Sequence, residues 1–296
     1  MGSGKNTVID IASGTAGGFA QVVAGHPLDT IKVRLQTQKP GPDGKFPFAG
    51  MADCAKKTFA KEGVKGLYKG AASPLVGAMA HNAGVFFSYG QAKALTGANE
   101  VGADLYKYFL AGAISAIPIT LVETPVDLLK IKLQAQVGEG EYAGVFDAAG
   151  KLGRAHGVAG LYQGFGATML RNIPCFGLYF FGSEFGFRLI NTPGEPTTPK
   201  QVFFGGLVGG ACAGGLFWGV LYPLETIKTR MQSDHILKEK RLYSSVLDCA
   251  QKTYAEGGVG AFFKGYIPSL TRAVPVNAAI FCAVFNVKDA MYKSWA

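Results

Sequence analysis

The chain has few charged residues for its length and no long uninterrupted apolar segment. Charged residues make up 17% of its 296 residues, whereas 48% are hydrophobic and 42 are glycines. Soluble domains ordinarily carry more charge, so this composition indicates a membrane protein. We expect that hydropathy alone does not identify the spanning helices, because we interpret no segment as a nearly charge-free apolar run of about 20 residues. Any spanning helices must therefore carry polar side chains, as helices around a water-filled cavity do.

Cysteine is also scarce, and its spacing does not suggest a metal site. The five cysteines form no CxxC pair, so we expect reduced, buried thiols and no bound metal. There is no Ser/His/Asp constellation, no G-x-G-x-x-G after a strand, and Gly4-Lys5 lacks the rest of a phosphate-binding loop. We therefore predict neither enzyme activity nor a cofactor.

The net charge of +9 lies largely in lysines that follow the apolar segments. Such placement suits anionic lipid headgroups better than nucleic acid, so we predict a lipid partner and no nucleic acid partner. Before the first apolar segment there is one lysine and neither an apolar signal core nor an Arg-rich stretch. Any targeting signal is expected to be internal.

One ten-residue signature is written three times, and its proline recurs every 98 residues. The copies are Pro27 to Gln36, Pro125 to Gln134 and Pro223 to Gln232. Each copy has an acid (Asp29, Asp127, Glu225), a base three residues later (Lys32, Lys130, Lys228) and a final glutamine (Gln36, Gln134, Gln232). A fixed interval of this length indicates three copies of one unit. We assign the repeats to residues 1–98, 99–196 and 197–296 of one structural domain.

Charges inside membrane helices need partners. An unpaired charge at mid-membrane costs about 2.5–3.5 kcal/mol on insertion scales, and three helices with one acid and one base each can close a ring of ion pairs. Buried pairs add little net stability but are costly to leave half-broken, so a ring suits a latch. The proline removes a helical hydrogen bond and bends each helix. Ion pairs that merely hold the helices together are the alternative.

Two further patterns recur in register. A small-residue pair precedes each signature proline (Gly14 and Gly18, Gly112 and Ala116, Gly210 and Gly214), which predicts close helix packing in lipid. A glycine and an aromatic-x-Gly sequence follow each signature. They comprise Gly63, Tyr68, Lys69 and Gly70, then Gly157, Tyr162 and Gly164, then Gly258, Phe263, Lys264 and Gly265. Free N–H groups at a helix start beside a lysine predict a bound anionic lipid.

The chain is expected to be all-α. Long helices begin near Thr7 and run into each signature, short amphipathic helices follow (the first at about 49–60), and long helices return at about 73–95, 167–190 and 268–292. This gives six spans and three short surface helices, so both termini lie on one side of the membrane.

The three P-x-[DE]-x-x-[KR]-x-[KR]-x-Q copies, with the three [FY]-[KRQ]-G sequences, resemble the mitochondrial carrier family over the whole chain. The resemblance implies six kinked helices in a three-fold pseudosymmetric bundle, with the short helices on the matrix side. It also implies alternating access to a central site. The implied gate pairs are Asp29 with Lys130, Asp127 with Lys228 and Glu225 with Lys32. It further implies an inner-membrane monomer that binds cardiolipin, with both termini toward the intermembrane space.

The opposite gate departs from the family pattern. Carriers of this kind have [FY]-[DE]-x-x-[RK] near the end of each even-numbered helix. Here the matching charged residues are only Lys93, Glu184 and Lys288. At most one complete pair can form, which predicts a weak cytoplasmic gate.

The family's specificity positions here are Gly77 with Ala78, Arg171 with Asn172, and Arg272 with Ala273. Two arginines facing a cavity suit a carboxylate or phosphate, although they could also pair with backbone carbonyls or Glu184. His81, one turn on from Gly77, is a further cavity candidate or else a core histidine.

An acid and an aromatic residue face the same region by helical phase. Glu123 lies four residues before Asp127, where the other repeats have Gly25 and Leu221, and Trp218 precedes the third signature. Together they fit a solute with a carboxylate and a cationic nitrogen. Four features together are similar to the carnitine/acylcarnitine and basic amino acid branch: Arg171-x-x-Pro174, the Phe-Gly-Leu-Tyr run at 176–179, Trp218 and Gly77. That branch has an acid beside the arginine where Asn172 stands, and we hypothesise that Glu123 replaces it.

Three functional interpretations follow. The first is a solute exchanger for an amino acid or carnitine-type metabolite. The second is a keto- or dicarboxylate carrier, because the Arg-Asn sequence is also associated with carriers of that kind. The third is a carrier-fold accessory subunit associated with a respiratory complex, which the incomplete cytoplasmic gate and Gln163 favour.

Overall fold

The computed structural model describes residues 3–41, 43–138 and 140–294. In these ranges the chain forms nine α-helices and no strand. The long helices are α1 (Ser3–Thr37), α3 (Ala72–Thr96), α4 (Leu105–Ala135), α6 (Phe165–Arg188), α7 (Pro199–Ser233) and α9 (Tyr266–Ser294). The short helices are α2 (Met51–Leu67), α5 (Val145–His156) and α8 (Val246–Gly257). The predicted helical class and the long-short-long order in each repeat are confirmed.

The signature prolines all lie inside long helices. Pro27, Pro125 and Pro223 fall within α1, α4 and α7, and each of these helices continues for at least ten residues beyond its proline. Because proline cannot donate a backbone hydrogen bond, each helix lacks one bond of its ladder at this point. The charged signature residues therefore lie on continuous helical segments, each of which follows a point where one backbone hydrogen bond is missing.

The predicted stop glycines lie at or near the ends of the short helices. Gly157 and Gly258 directly follow α5 and α8, whereas Gly63 interrupts α2, which runs on to Leu67. Gly63, Gly157 and Gly258 have φ values of 61°, 60° and 60°, a left-handed conformation that favours glycine. At the other end, Asp53, Asp147 and Asp248 each accept a hydrogen bond from a backbone N–H group four residues earlier, at 2.9–3.0 Å. The same aspartates pair with Lys57, Lys151 and Lys252 at 2.8–2.9 Å. Local capping thus repeats as closely as the sequence does.

The chain divides into two compact units that are discontinuous in sequence. The first comprises Met1–Met79, Val126–Gly157 and Lys264–Ala296. Inside it, α1 packs along α9 and against α2. Its buried clusters are Ile31, Leu35, Phe48 and Cys54, and Leu133, Tyr142 and Ala148. These clusters fix the end of each signature helix against the loop and short helix that follow it.

The second unit comprises Ala80–Pro125 and Val158–Phe263. Within it α6 packs closely along α7. A Cβ atom added to Gly186 would lie 2.7 Å from the Cα of Gly209, and one added to Gly182 would lie 3.1 Å from the Cα of Ala213. Only glycine fits at these crossings, so α6 and α7 are in backbone contact.

The predicted packing role of the small-residue pairs is correct in one repeat only. Gly112 in α4 lies against the backbone of Phe176, and Ala116 is fully buried. Gly14 and Gly18 have open space where a Cβ would stand, and so do Gly210 and Gly214. Neighbouring residues make the close contacts in those repeats, such as Gly17 against α9. The motif therefore predicts which part of the helix makes close contacts, but not which residues on that part face the neighbouring helix.

Among the described residues, two helices are long and apolar enough to cross a membrane by length and composition, Leu105–Ala135 and Lys200–Ser233. The sequence prediction that no segment offers a nearly charge-free apolar run of about 20 residues is therefore wrong for these two helices, and residues 201–224 contain no charged side chain.

Candidate functional site

The first predicted gate pair is present. In the first unit, Nζ of Lys130 lies 2.7 Å from Oδ2 of Asp29, and both side chains are largely buried. The other oxygen of Asp29 is also occupied, because Nε of Arg272 lies 2.8 Å from Oδ1. One signature acid thus binds a signature base and a residue of the predicted substrate site. Sequence reasoning placed Arg272 in the cavity but did not connect it with Asp29.

The two remaining gate pairs, Asp127 with Lys228 and Glu225 with Lys32, each join a residue of one unit to a residue of the other. They stay predictions. The three signature glutamines (Gln36, Gln134, Gln232) are fully buried. Gln134 donates to Oγ1 of Thr30 at 3.2 Å and also contacts His26, whereas Gln232 donates to Oγ1 of Thr168 at 3.3 Å. Gln134 therefore ties α4 to α1, and Gln232 ties α7 to α6.

Glu123 is at the centre of a buried polar cluster in the second unit. Its Oε2 atom accepts a hydrogen bond from Nδ2 of Asn172 at 2.7 Å. Its Oε1 atom accepts from the guanidinium of Arg171 at 3.1 Å and from Nζ of Lys228 at 3.0 Å. Asn172 is fully buried and also donates to Oγ1 of Thr120. Three side chains from α6 and α7 thus converge on one carboxylate of α4.

The Arg171 guanidinium has several partners in addition to Glu123. Its Nε lies 3.0 Å from Oε2 of Glu225, and the Oδ1 atom of Asn172 accepts a bond from it at 2.5 Å. The guanidinium carbon lies 5.1 Å above the ring of Phe217, within cation–π range. Glu225, like Asp29, is a signature acid. Both predicted substrate arginines therefore pair with gate acids, and Phe217 is a contact that the sequence did not single out.

The remaining predicted solute contacts are less uniform. Trp218 is partly buried between Phe217 at 4.9 Å and Tyr222 at 6.3 Å, measured between ring centroids. Gly77 packs on Val126, since a Cβ atom there would lie 2.6 Å from Cγ1 of the valine. The side chains of Ala78 and His81 lie outside the described part of the structure.

Glu184, an acid of the predicted cytoplasmic gate, is paired within its own helix. Its Oε1 atom pairs with Nε of Arg188 at 2.7 Å, one helical turn later in α6. Arg188 also donates to the carbonyl of Ala103 at 2.6 Å and lies over the ring of Tyr108. The acid is therefore engaged by a base that the family pattern does not contain, at the position after the expected one.

The other two residues of that gate give no ion pair to describe. Nζ of Lys93 lies 5.5 Å from the ring centroid of Tyr89. That ring stacks on Phe180 of α6 at 3.5 Å. The side chain of Lys288 lies outside the described residues. An aromatic contact joins α3 and α6 at the level where the family pattern has charges.

The second motif brings each repeat against the next signature. Gly70, Gly164 and Gly265 have φ values of 80°, 79° and 82°. A Cβ atom added to them would lie 3.0 Å from the carbonyl of Lys130, 2.7 Å from Cγ of Gln232 and 2.9 Å from the carbonyl of Lys32, respectively. Glycine is required here both for the turn and for close approach. Each aromatic-x-Gly turn thus rests on the signature segment of the following repeat in cyclic order.

The Lys69, Gln163 and Lys264 side chains of this motif have partners within the protein, and the lipid-binding role of the motif stays a prediction. Nζ of Lys69 lies 2.5 Å from Glu62 and donates to the carbonyl of Gly138 at 2.7 Å. Lys264 lies 3.2 Å from the ring centroid of Phe46, and Gln163 donates to the carbonyls of Met231 and Asp234. Lys69 and Lys264 thus contact the loop after the signature of the next repeat, and Gln163 contacts the end of the next signature helix.

Each aromatic residue of the motif also has a contact within the protein. Tyr68 donates to the carbonyl of Val23 at 2.8 Å, Phe263 stacks on Tyr222, and Tyr162 contacts Phe165 edge-on. A cavity of about 600 Å³ nonetheless lies beside the first copy of the motif. Its lining includes Gly70 and Ala72 at the start of α3, and Tyr142 and Gly144 before α5. Two helix N-termini therefore face one cavity, as the lipid prediction requires.

Comparison with known proteins identifies the class. The family described as mitochondrial carrier protein matches residues 3–100, 102–193 and 199–295. The chain belongs to the mitochondrial carrier family. Its relatives include a mitochondrial carnitine/acylcarnitine carrier-like protein of Arabidopsis thaliana, 36% identical over 95% of this chain and 98% of the relative. A mitochondrial basic amino acids transporter of Bos taurus is 36% identical over 93% of this chain and 90% of the relative.

A third relative shows how little overall identity says about the solute. The mitochondrial magnesium exporter 1 of Drosophila melanogaster is also 36% identical, over 97% of this chain and 96% of the relative. The branch inferred from Arg171 and Trp218 is confirmed by the first two relatives. Family membership implies a membrane-embedded transporter of the mitochondrial inner membrane with a small-molecule substrate. Members of this family are transporters rather than enzymes.

Proposed function

We propose that the protein exchanges a small metabolite that carries a carboxylate and a cationic nitrogen, of the amino acid or carnitine type. The observation that carries this proposal is the position of Glu123. Its carboxylate lies 2.7 Å from Asn172, the position at which the related branch has an acid. Glu123 of α4 thus takes the place of the acid missing from position 172, and its carboxylate can reach the cationic nitrogen that such an acid would bind.

The two halves of such a solute have suitable partners. Arg171 and Arg272 offer guanidinium groups that bind carboxylates through paired hydrogen bonds. Glu123 offers a carboxylate to a cation, with the rings of Phe217 and Trp218 nearby for cation–π contact. A keto- or dicarboxylate would place its second negative charge near Glu123, so we favour the zwitterionic class.

Alternating access would use the matrix-side ring of three ion pairs as one gate. The Asp29–Lys130 pair supports this, because it has the partners that the repeat pattern assigns. The cyclic contacts of Gly70, Gly164 and Gly265 with the next signature support the three-fold pseudosymmetric bundle. In such a ring, opening requires all three repeats to move apart around a central site. Both termini would then lie toward the intermembrane space.

Anionic lipid, most simply cardiolipin, is the proposed partner at the matrix side. The cavity between the starts of α3 and α5 supports this site, since backbone N–H groups at helix N-termini attract phosphate. The glycines and aromatic residues of the motif shape the turn, and the lysines clasp the loops. We expect the monomer to be the functional form.

One observation favours a second function. Glu184 is held by Arg188 and so is not free for an inter-repeat gate pair. A carrier-fold subunit of a respiratory assembly would not need that gate. Co-purification with a respiratory complex at fixed stoichiometry, without exchange in liposomes, would support it over the transporter.

The test begins with the purified protein and a thermal-shift panel of carnitine, acylcarnitines, basic amino acids, ketoacids and dicarboxylates. A true solute raises the unfolding temperature by mass action. Solutes that stabilise the protein are then tested for exchange in liposomes. We expect Glu123→Gln to abolish exchange of cationic solutes, whereas Glu195→Gln, a change in an exposed loop, leaves it intact. Unchanged uptake by Glu123→Gln would contradict the proposed solute class.

A further inference from the structure

A gate lysine and a solute-binding residue share one carboxylate in this protein. Nζ of Lys228 lies 3.0 Å from Oε1 of Glu123, and the lysine side chain is 2% exposed. The equivalent base of the preceding signature, Lys130, instead binds the signature acid Asp29. Lys228 therefore has a partner outside the signature that Lys130 does not use.

This arrangement is confined to one repeat. Glu123 stands four residues before the signature acid, where the other repeats have Gly25 and Leu221. Arg272 and Val276 occupy the space beside Gly25 that a side chain at this position would need. Only the second repeat can bring an acid to this position, so its chemistry breaks the symmetry of the carrier.

The contacts on Glu123 set up a competition. Its two oxygens accept from Asn172, Arg171 and Lys228 in a site that is largely buried. A cation that enters must replace one of these donors. Asn172 is fixed by Thr120, and Arg171 is held by Glu225 as well. Lys228, at the end of a flexible side chain, is the donor that can move.

We propose that Glu123 couples solute binding to the gate, because the cationic group of the solute displaces Lys228 from Glu123. Displacement removes one carboxylate from a buried lysine, so the charge of Lys228 is left to the remaining acids around it and changes the ion pairs of the gate. A solute that lacks the cation leaves Lys228 where it is. This inference rests on the proposed solute class and adds a mechanism for distinguishing loaded from empty carrier.

The coupling is reciprocal, which gives a binding test. If the cation and Lys228 compete for Glu123, removal of the lysine must strengthen binding of the cation. Two probe pairs differ only in the relevant charge. They are carnitine with its carbon isostere 3-hydroxy-5,5-dimethylhexanoate, and L-lysine with L-2-aminoheptanoate, in which a methyl group replaces the side-chain ammonium. The member of each pair that lacks this cation is called the neutral probe. The pair whose charged member stabilises the wild-type protein is used.

We expect Lys228→Met to lower the Kd of the charged probe by about tenfold, or about 1.4 kcal/mol, and to leave that of the neutral probe within about twofold. Exchange slows in the same variant, because the gate has lost a base. Lys130→Met is the matched control, since it removes a gate lysine that binds Asp29. It should slow exchange without altering the ratio of the two Kd values.

Equal changes for both probes in Lys228→Met, or weaker binding of the charged probe, would overturn the coupling while leaving the solute class intact. If no charged probe binds the wild-type protein, the proposed solute class fails and the coupling falls with it. The two failures are thus separable.

A second measurement needs no variant. Carnitine carries a quaternary nitrogen, so it does not react with amine-labelling reagents. In wild-type protein we expect carnitine, but not its neutral isostere, to increase labelling of Lys228 several-fold by peptide mass spectrometry, with Lys130 as internal reference. Bound carnitine without any increase at Lys228 contradicts the displacement.

Discussion

Arg272 and Lys130 occupy opposite oxygens of a single carboxylate, that of Asp29, at 2.8 Å and 2.7 Å. In the second unit Arg171 is likewise paired with the signature acid Glu225 at 3.0 Å. The residues assigned to solute binding and those assigned to the gate are therefore not separate layers. A carboxylate that takes either arginine must compete with a gate acid, which links occupancy of the site to the state of the gate.

Arg272→Gln tests the solute-binding half of this relationship. A hydrogen bond to a charged group contributes about 1.5–3 kcal/mol, so we expect the KM for a carboxylate solute to rise about tenfold to a hundredfold. The measurement is exchange in liposomes over a range of external solute. Arg241→Gln, in a loop where the arginine binds two backbone carbonyls, is the control. A lower maximal rate at unchanged KM would restrict Arg272 to the gate.

Gly25→Ala tests whether Arg272 needs the space beside it. An added Cβ would lie 2.8 Å from Nε of Arg272 and 2.9 Å from Val276. Overpacking of this kind costs about 1–3 kcal/mol, so we expect a lower unfolding temperature and slower exchange. Gly14→Ala in the same helix meets open space and should raise stability by up to about 1 kcal/mol. Similar thermal shifts for the two variants would contradict the packing account.

The sequence repeat predicted those features that depend on local geometry. Helix order and the positive-φ glycines Gly63, Gly157 and Gly258 follow from fixed spacing along the chain, whereas the Asp29–Lys130 pair, which joins residues 101 apart, was implied by the resemblance to the carrier family. Local rules suffice there, because a cap or a turn is made by residues close in sequence.

The partner that each side chain takes was harder to predict, even where that partner is close in sequence. Gly14 and Gly18 carry the packing motif but face open space, and Lys69 binds Glu62 rather than facing a ligand. Glu184 is held by Arg188, which no family column marks. A side chain pairs with its nearest opposite charge in three dimensions, and spacing in one repeat does not specify the rotation of the helix that faces it. Glu123 was identified because its position is unequal among the repeats.

Glu62→Gln tests a pH-dependent clasp outside the spanning helices. Burial opposes ionisation of Glu62, but hydrogen bonds from Arg34 and Lys69 outweigh it and lower the pKa of Glu62 from 4.5 to about 2. A depressed pKa in the folded state means that the contribution is complete above about pH 4.5 and is lost as the pH falls toward 2.

At neutral pH we expect Glu62→Gln to lower the free energy of unfolding by about 3 kcal/mol, since the buried guanidinium of Arg34 loses its carboxylate. The difference from wild type should shrink as the pH is lowered from 4.5, as measured by thermal unfolding in detergent. Glu141→Gln, at an exposed loop acid, should show no such trend. A difference that is constant down to pH 3 would place the effect in packing rather than charge.

The lipid site is tested by filling its cavity. Gly144 lines the cavity before α5, has an extended backbone that any residue can adopt, and has open space where a Cβ would stand. A leucine there would project into the volume between the starts of α3 and α5 without backbone strain. We expect Gly144→Leu to keep its unfolding temperature in detergent but to lose a large part of the stabilisation gained on adding cardiolipin. A lipid stabilises the protein only by binding to a site that it can enter.

Gly150→Leu is the control. It places the same side chain on the exposed face of α5, where it also meets open space, and should retain the full cardiolipin response. Retention of that response by both variants would move the lipid to another surface of the protein.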